Sequence, residues 1–200
     1  ACGEPQYLVK GLVEKADHLA DNEILHVHTL GVAPYAKPRY SDRFRLNAFF
    51  VGINTRQAVA EGRADYTPVF LSELPRLISR GMIPIDVALI QVTPPDEHGF
   101  CSLGVSVEIT KTAAEKAKLV IAQVNRRMPR VLGDSFIHVN DIDIVVEHDE
   151  PILELPRPEK DIVSERIARY VADLVDDGST LQIGIGSIPD SVLDALMDKK

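Results

Sequence analysis

The chain has 200 residues with 45% apolar side chains, which suits one substantial soluble domain, or a domain and a fraction. Acidic residues outnumber basic ones by 30 to 22, and no Lys/Arg cluster is interleaved with aromatic residues, so neither nucleic acid nor an anionic membrane is an expected partner. No apolar run reaches the roughly 20 residues of a membrane-spanning helix. Only Cys2 and Cys101 occur, which favours a reduced, cytoplasmic setting.

The first 85 residues alternate between helical and strand-like patterns. Pro5 precedes apolar residues at helical spacing, which predicts a helix from about residue 5 to residue 18. Asn54 and Ser72 are candidate N-caps of two further helices. Strands are expected at 24–30, 44–52 and 64–70. This alternation predicts an α/β fold with a mostly parallel sheet and helices on both of its faces.

A continuous apolar run over residues 86–92 predicts a strand buried on both faces. A loop with two prolines follows it, and a stiff polar loop at the carboxyl end of a parallel strand is where open α/β sheets bind ligands. A tight surface turn explains the same residues equally well. The candidate site residues in this stretch are Gln91, Pro94, Asp96, Gly99 and Phe100.

The pattern of strands and helices continues through residue 150 and then changes. Residues 150–159 hold three prolines among acidic side chains, a composition typical of a linker. Predicted elements are a helix at 110–117, strands at 119–124 and 142–146, a short extended piece at 135–139 and an amphipathic helix at 161–175. The predicted organisation is therefore a domain at 1–150, a linker at 151–160 and the start of a second domain at 161–200.

The last segment is a predicted buried strand at 179–183, a turn with Gly184 and Gly186, and a helix near Pro189. This order repeats the opening Gly3, Glu4 and Pro5, which predicts two similar α/β halves, the second cut short. A glycine turn before a helix N-terminus suits a phosphate or a developing oxyanion. A purely structural turn is the alternative.

Two other patterns have simple structural explanations. His98 and Cys101 could form a base and a thiol nucleophile, but a small packed thiol is the more common arrangement. His26 and His28 lie on one face of a predicted strand, and two histidines without a third ligand are more often structural than metal-binding. No metal is therefore expected.

Several long motifs resemble the amino-terminal half of the acetyl-CoA hydrolase / 4-hydroxybutyrate CoA-transferase family. They are QVTPPDEHGFCSLGVS at 91–106, AKLVIAQVN at 117–125, MPR at 128–130, GDSFIH at 133–138 and GIGSIPD at 184–190. The resemblance implies two α/β halves of the CoA-transferase (NagB/RpiA-like) type with the active site between them. It also implies acyl-CoA and a small carboxylate as substrates, the second half of the same enzyme as a partner, and a homo-oligomer.

The resemblance further implies that a glutamate carboxylate attacks the acyl-CoA thioester and becomes a glutamyl-CoA thioester. In this family that glutamate and the glycine-rich CoA-binding segment lie beyond Lys200, and no glutamate here matches the motif of the nucleophile. The chain would then supply one wall of the cleft, made of the Gly3–Pro5 turn, the Gln91–Ser102 loop and the Gly184–Pro189 turn. An acetyl-CoA hydrolase and a non-catalytic acyl-CoA-binding module remain open alternatives.

Overall fold

The structure is a computed structural model that describes residues 3–156 and 161–200. The chain divides into two compact units, Ala1–Glu154 and Leu155–Lys200. Residues 151–156 of the predicted linker form neither helix nor strand, and residues 157–160 lie outside the described residues. None of the described helices is long and apolar enough to cross a membrane.

The first sheet of the larger unit contains β1 (Asn22–His26), β2 (Phe44–Ala48) and β3 (Ala64–Tyr66), all parallel and in that order. Two helices, α1 (Gln6–Glu14) and α2 (Arg56–Ala60), contribute to its core. The α1 side chains that face inward follow the helical spacing of the sequence. The buried residues of this core include Val9, Val13, Tyr35, Phe44, Leu46 and Ala58.

The second sheet contains β4 (Val87–Val92), β6 (Leu119–Val124) and β8 (Ile144–Glu147), parallel and in the order β4-β6-β8. Helices α3 (Leu74–Ser79) and α4 (Thr110–Lys116) precede its first two strands. Both central apolar runs become strands with buried interior positions, as their composition requires. The parallel α/β class is confirmed, although the parallel strands form two sheets rather than one.

The loop predicted after β4 is a hairpin. Strand β5 (Phe100–Ser102) pairs antiparallel with β7 (Phe136–His138), and the Thr93 N–H also donates to the Ser102 carbonyl at 2.9 Å. The short β5 has too few residues to show a period in the sequence. The segment after the two prolines is therefore a turn at residues 96–99 that leads into a strand of a separate antiparallel sheet.

The smaller unit contains two described helices, α5 (Ile162–Ala172) and α6 (Ser187–Ala195), packed through Ala168, Ala172, Val192 and Leu196. The strand predicted at 179–183 is wrong, since these residues form no strand and four of the five are exposed. A strand needs a neighbour for its backbone hydrogen bonds. The described residues of this unit contain no other strand that could be that neighbour.

Two predicted helix caps are also wrong. The residue before α2 is Thr55, and the Asn54 amide instead donates to the carbonyls of Thr29 and Gly31. The residue before α3 is Glu73 rather than Ser72, and its side chain accepts no capping hydrogen bond. Asn54 is thus used to tie the loop after β1 to the start of α2.

Candidate active-site wall

A buried network of side-chain amides lies at the carboxyl ends of β4 and β6. Gln91 and Gln123 are register partners on these strands, and Asn125 follows β6 directly. Gln91 is 2% exposed, while Gln123 and Asn125 are fully buried. The Gln91 Oε1 accepts from Asn125 Nδ2 at 2.6 Å and from Gln123 Nε2 at 3.5 Å. The three amides therefore act as one hydrogen-bonded group, termed the amide network.

Glu150 closes the amide network on the β8 side. Its carboxylate accepts from Gln123 Nε2 at 2.7 Å, and its backbone carbonyl accepts from Asn125 Nδ2 at 2.8 Å. The Asn125 Oδ1 accepts from the Arg127 N–H at 2.9 Å and from the Glu150 N–H at 3.4 Å. Because these bonds come from both sides, Asn125 is fixed in one orientation.

On its other side the amide network holds the amino-terminal turn. Gln91 Nε2 donates to the Gly3 carbonyl at 3.2 Å and to the Glu4 carbonyl at 3.0 Å. A Cβ at Gly3 would overlap the Ser106 hydroxyl and lie 3.2 Å from the Met128 methyl group, so only glycine fits this turn. The structure thus brings together Gly3, Glu4 and Gln91, which belong to two different predicted wall segments.

Glu4 extends from this turn to the carboxyl end of the first sheet. Its Oε2 accepts from the Gly31 N–H at 3.2 Å, and the same N–H also donates to the Thr29 hydroxyl. The Gly31 carbonyl accepts from the Asn54 side-chain amide. Burial raises the pKa of the Glu4 carboxyl above its usual value, and the Gly31 N–H offsets only part of this effect. Pro5 is buried beside Glu4 and precedes α1, where its carbonyl accepts the Val9 N–H at 3.0 Å.

Two histidines and a tyrosine complete the polar end of the first sheet. Burial lowers the pKa of His26 to about 4, and burial also lowers the pKa of His28. Burial, with a smaller contribution from Glu4, raises the pKa of Tyr35. Each histidine adjoins an aromatic ring, with His26 6.3 Å from Tyr35 and His28 4.9 Å from Phe50 between ring centroids. The group is neutral and partly apolar near pH 7.

The predicted loop residues Asp96, Gly99 and Phe100 stabilise the hairpin itself. The Asp96 carboxylate accepts from the N–H groups of His98 and Phe100 and pairs with Arg130 at 2.5 Å. The Phe100 bond, supported by His98 and the Arg130 charge, lowers the pKa of Asp96. Gly99 has φ +83°, and a Cβ there would lie 2.6 Å from His138 Nε2. These contacts favour the tight-turn interpretation for all three residues.

Pro94 lies between this hairpin and the amide network. It is half-buried, and its carbonyl accepts from the Thr93 hydroxyl at 3.0 Å. The Thr93 hydroxyl in turn accepts from the Ser102 N–H at 2.8 Å. The one described hydrogen bond of Pro94 is thus local, and Pro94 has no described hydrogen bond to the amide network.

The thiol-nucleophile interpretation does not fit the geometry. Cys101 is fully buried, and burial raises the pKa of its thiol, which disfavours the reactive thiolate. The His98 ring is exposed on the hairpin and approaches Glu97 at 3.5 Å. Cys101 is a packed core thiol, as expected of a small side chain on the inner face of β5.

The glycine turn of the smaller unit is exposed. Gly186 has φ +127° and directly precedes α6, so the helix begins two residues before Pro189. Gly184 is also exposed, and the Ser187 hydroxyl accepts from the Ser164 hydroxyl at 3.3 Å. In the first turn, by contrast, α1 begins after Pro5. The two turns both contain glycine and proline, but the helix begins after the proline in the first turn and before the proline in the second.

Metal ligation has no obvious location in the described structure. Across residues 3–156 and 161–200, no group of three or more His, Cys, Asp or Glu side chains is arranged to hold a metal ion.

The residues that sequence reasoning missed are Gln123, Asn125 and Glu150. A signal for the first was present, because VALIQV and LVIAQV carry glutamine at the same fifth position of two buried strands. Two buried strands with a polar residue in equivalent positions predict a paired polar site at one sheet edge. Glu150 gives no such signal, since it stands among the acids of the proline-rich segment.

The structure has parallel α/β sheets, and buried amides at the carboxyl end of one sheet bond to a glycine-containing turn. This architecture agrees with the protein family that the sequence motifs predict. The chain belongs to the acetyl-CoA hydrolase/transferase family, whose model of the N-terminal domain matches residues 1–155. The family predicted from the sequence motifs is confirmed.

Curated relatives carry CoA-transferase names. The chain is 54% identical over 200 residues to the 4-hydroxybutyrate coenzyme A transferase of Clostridium kluyveri, covering 100% of this chain and 47% of that protein. It is 45% identical to the succinyl-CoA:acetate/propanoyl-CoA:succinate CoA transferase of Fasciola hepatica, covering 98% and 41%. The chain thus spans about half the length of these relatives.

Solved structures agree with the fold. RipA from Yersinia pestis is 30% identical with a TM-score of 0.91, covering 99% of this chain and 48% of that one. A 4-hydroxybutyrate CoA-transferase from Porphyromonas gingivalis is 33% identical with a TM-score of 0.69, covering 96% and 50%.

Proposed function

We propose that this chain is the amino-terminal part of an acyl-CoA:carboxylate CoA-transferase of the acetate/4-hydroxybutyrate type. The observation that carries the proposal is the 54% identity to a 4-hydroxybutyrate coenzyme A transferase along all 200 residues. The buried polar groups at the carboxyl ends of both parallel sheets support it, because ligands of open α/β sheets bind at such edges.

In this reaction a glutamate carboxylate outside these 200 residues attacks the thioester carbonyl and expels the CoA thiolate, forming an acyl-glutamyl anhydride. The thiolate then attacks the glutamyl carbonyl, which releases the donor carboxylate and leaves a glutamyl-CoA thioester. The acceptor carboxylate attacks that thioester and expels the CoA thiolate, forming a second acyl-glutamyl anhydride. The thiolate then attacks the acyl carbonyl of this anhydride, which releases the new acyl-CoA and regenerates the glutamate carboxylate. Covalent catalysis of this kind divides one difficult exchange into easier steps.

The larger unit contributes one wall of the cleft in which these steps occur. The two histidines and the tyrosine at the end of β1, close to the turn at residues 3–5, supply a neutral, partly apolar lining that suits an acyl chain. The exposed Gly184–Pro189 turn offers backbone amides at the start of α6 that suit an oxyanion. Coenzyme A enters as a substrate, and no metal takes part.

A second candidate is acetyl-CoA hydrolysis, which the family's own name includes. The two activities share the first covalent steps and differ in whether water or a carboxylate attacks the glutamyl-CoA thioester. A site that excludes water favours transfer, since water then cannot compete with the acceptor carboxylate.

Both activities can be measured on the whole enzyme, meaning the protein that contains this chain together with the second half present in its relatives. Acetyl-CoA is mixed with 4-hydroxybutyrate, and 4-hydroxybutyryl-CoA and free CoA are separated chromatographically. We expect transfer to exceed release of free CoA. Free CoA formed at the same rate with and without acceptor would favour the hydrolase, and neither product would favour a non-catalytic acyl-CoA-binding module.

The acceptor range follows from the same assay. Acetate, propanoate, succinate and butyrate compete with 4-hydroxybutyrate in parallel reactions, because carboxylates of these kinds appear in the names of curated relatives. We expect short carboxylates to be preferred. We also propose a cytoplasmic homo-oligomer; light scattering of the purified whole enzyme tests its oligomeric state directly.

A further inference from the structure

The Gln91 side chain joins two parts of the larger unit that are distant in sequence. Its Nε2 bonds to Gly3 and Glu4 span 88 and 87 residues, respectively. Glu4 then reaches Gly31 at the end of the first sheet. A continuous chain of hydrogen bonds therefore runs from the second sheet, through the amino-terminal turn, to the first.

The Gln91 amide has only one workable orientation. Turning it over would place its Oε1 against the carbonyl oxygens of Gly3 and Glu4, and its Nε2 against the Asn125 amino group. Both contacts would pair like with like. Since Asn125 is itself fixed by Arg127 and Glu150, the direction of the Gln91 donors is set from the β8 side.

Packing on both sides of Glu4 restricts how the backbone of the amino-terminal turn can move. Gly3 and Pro5 are buried, and Gly3 fits closely against Ser106 and Met128. A shift of the Glu4 backbone therefore moves its carboxyl away from the Gly31 N–H. Gly31 itself has no described hydrogen bond to the amide network, so any effect of Gln91 on Gly31 must pass through Glu4.

We propose that Gln91 and Asn125 are positioning residues that hold the Glu4 carboxyl against Gly31 and so keep the wall at the end of β1 in its reactive arrangement. The positioning role rests on the proposed CoA transfer. Neither residue touches the reacting atoms. Their contribution is to geometry, where a misplacement of about 1 Å can cost a hundredfold in rate.

Gln91→Met tests this arrangement, because methionine keeps the length of the side chain and removes both donors. In hydrogen exchange of the whole enzyme, the Gly31 amide should exchange up to about tenfold faster, because its N–H would lose Glu4 and keep only the Thr29 hydroxyl, with the amides of β2 unchanged. Gln57→Met is the matched control, since Gln57 is an exposed glutamine bonded to Glu61 at 2.8 Å. It should leave Gly31 unchanged.

Asn125→Ala provides a second test that leaves Gln91 in place. It removes the bond to Gln91 Oε1, so we expect a smaller acceleration at Gly31 in the same direction. This variant decides the matter if Gln91→Met does not fold. Unchanged exchange at Gly31, or equal acceleration throughout the larger unit, would overturn the proposal.

Kinetics of the whole enzyme separate positioning from general loss of structure. In Gln91→Met we expect kcat to fall about tenfold or more while the KM for acyl-CoA stays within about twofold. Faster exchange at Gly31 with unchanged kcat would overturn the positioning role. If the unmodified enzyme transferred no CoA, the proposed function and this role would both fall, while the exchange result would still show whether Gln91 holds Glu4.

Discussion

The two parallel sheets of the larger unit both end in polar groups, but they differ in how many buried polar atoms have a hydrogen-bond partner. At the second sheet, Asn125 bonds to Gln91 and Glu150, and Gln123 Oε1 is the one amide-network atom that is buried without a partner among the described residues. Near the end of the first sheet, Gly31 bonds to Glu4 and Asn54, but several buried side-chain atoms have no hydrogen bond of good geometry among the described residues. These atoms are Glu4 Oε1, Gln6 Nε2, Asn54 Oδ1 and both ring nitrogens of His26.

This difference suggests that the polar groups at the second sheet stabilise the structure, whereas those at the first sheet serve the proposed site. Buried polar atoms are normally hydrogen-bonded, and those that are not cost free energy unless they serve a purpose. The well-paired end fixes the position of the turn, and the less well-paired end keeps polar groups that the proposed wall would offer to a substrate. Polar-to-apolar substitutions should therefore cost much more stability at the second sheet than at the first.

The largest expected effect is at the paired end. Asn125→Leu removes four hydrogen bonds, which leaves Gln91 Oε1 with only the 3.5 Å bond from Gln123 and takes a partner from the backbone groups of Arg127 and Glu150. We expect it to lower the free energy of unfolding by about 3 kcal/mol, measured by urea denaturation at pH 7. A loss as small as that of an exposed control, Gln57→Leu, would mean that the amide network is not a support.

The next largest expected effect is a loss of stability at acidic pH, which we attribute to His26. His26 has a pKa of about 4 in the folded state, below the 6.5 of an unperturbed histidine, so unfolding takes up a proton between these values. As pH falls from 6.5 toward 4, the unfolding free energy should drop by up to about 1.4 kcal/mol per pH unit. His26→Leu should abolish this component and, at pH 7, change stability by less than about 1 kcal/mol.

His98→Leu serves as the control for that experiment, because the His98 side chain is 75% exposed. Urea unfolding is measured for all three proteins at pH 7, 6 and 5. If the acid-dependent loss were the same in His26→Leu as in the unchanged protein, His26 would not be the source.

The smallest effect has the opposite pH dependence. Burial raises the pKa of Glu4, so its favourable contribution is complete below the unperturbed value of 4.5 and is lost as pH rises through the folded value. Glu4→Gln should therefore gain stability relative to the unchanged protein between pH 4 and pH 7 in urea unfolding. The same variant should slow CoA transfer in the whole enzyme. A stability difference that shrinks with rising pH would contradict this account.

Sequence patterns predicted the elements that carry a strong period or a long apolar run. The α1 and α5 helices and strands β4 and β6 fall where their spacing placed them. The strand predicted at 179–183 failed because apolar content does not supply a pairing neighbour. Asn54 failed as a cap because the carbonyls of Thr29 and Gly31, distant in sequence, compete for its amide.

The site residues were likewise predicted in part, whereas the contacts between them were not. Gln91, Gly3 and Glu4 were predicted as wall residues, and their mutual contact appears only in three dimensions. Asp96 and Gly99 were predicted for the wall because of their polar loop, yet the contacts that the structure gives them stabilise the hairpin: Asp96 bonds to the Phe100 N–H, and Gly99 packs closely against His138. Hydrogen bonds between residues nearly 90 positions apart leave no local pattern.

The most direct test of the central claim is the intact mass of the protein after incubation with acetyl-CoA. It is measured on this 200-residue chain and on the whole enzyme. We predict a covalent CoA adduct on the whole enzyme alone, because the proposed mechanism assigns a wall of the cleft to this chain and the glutamate nucleophile to the second half. An adduct on the 200-residue chain would contradict the account, since the nucleophile would then be among these residues.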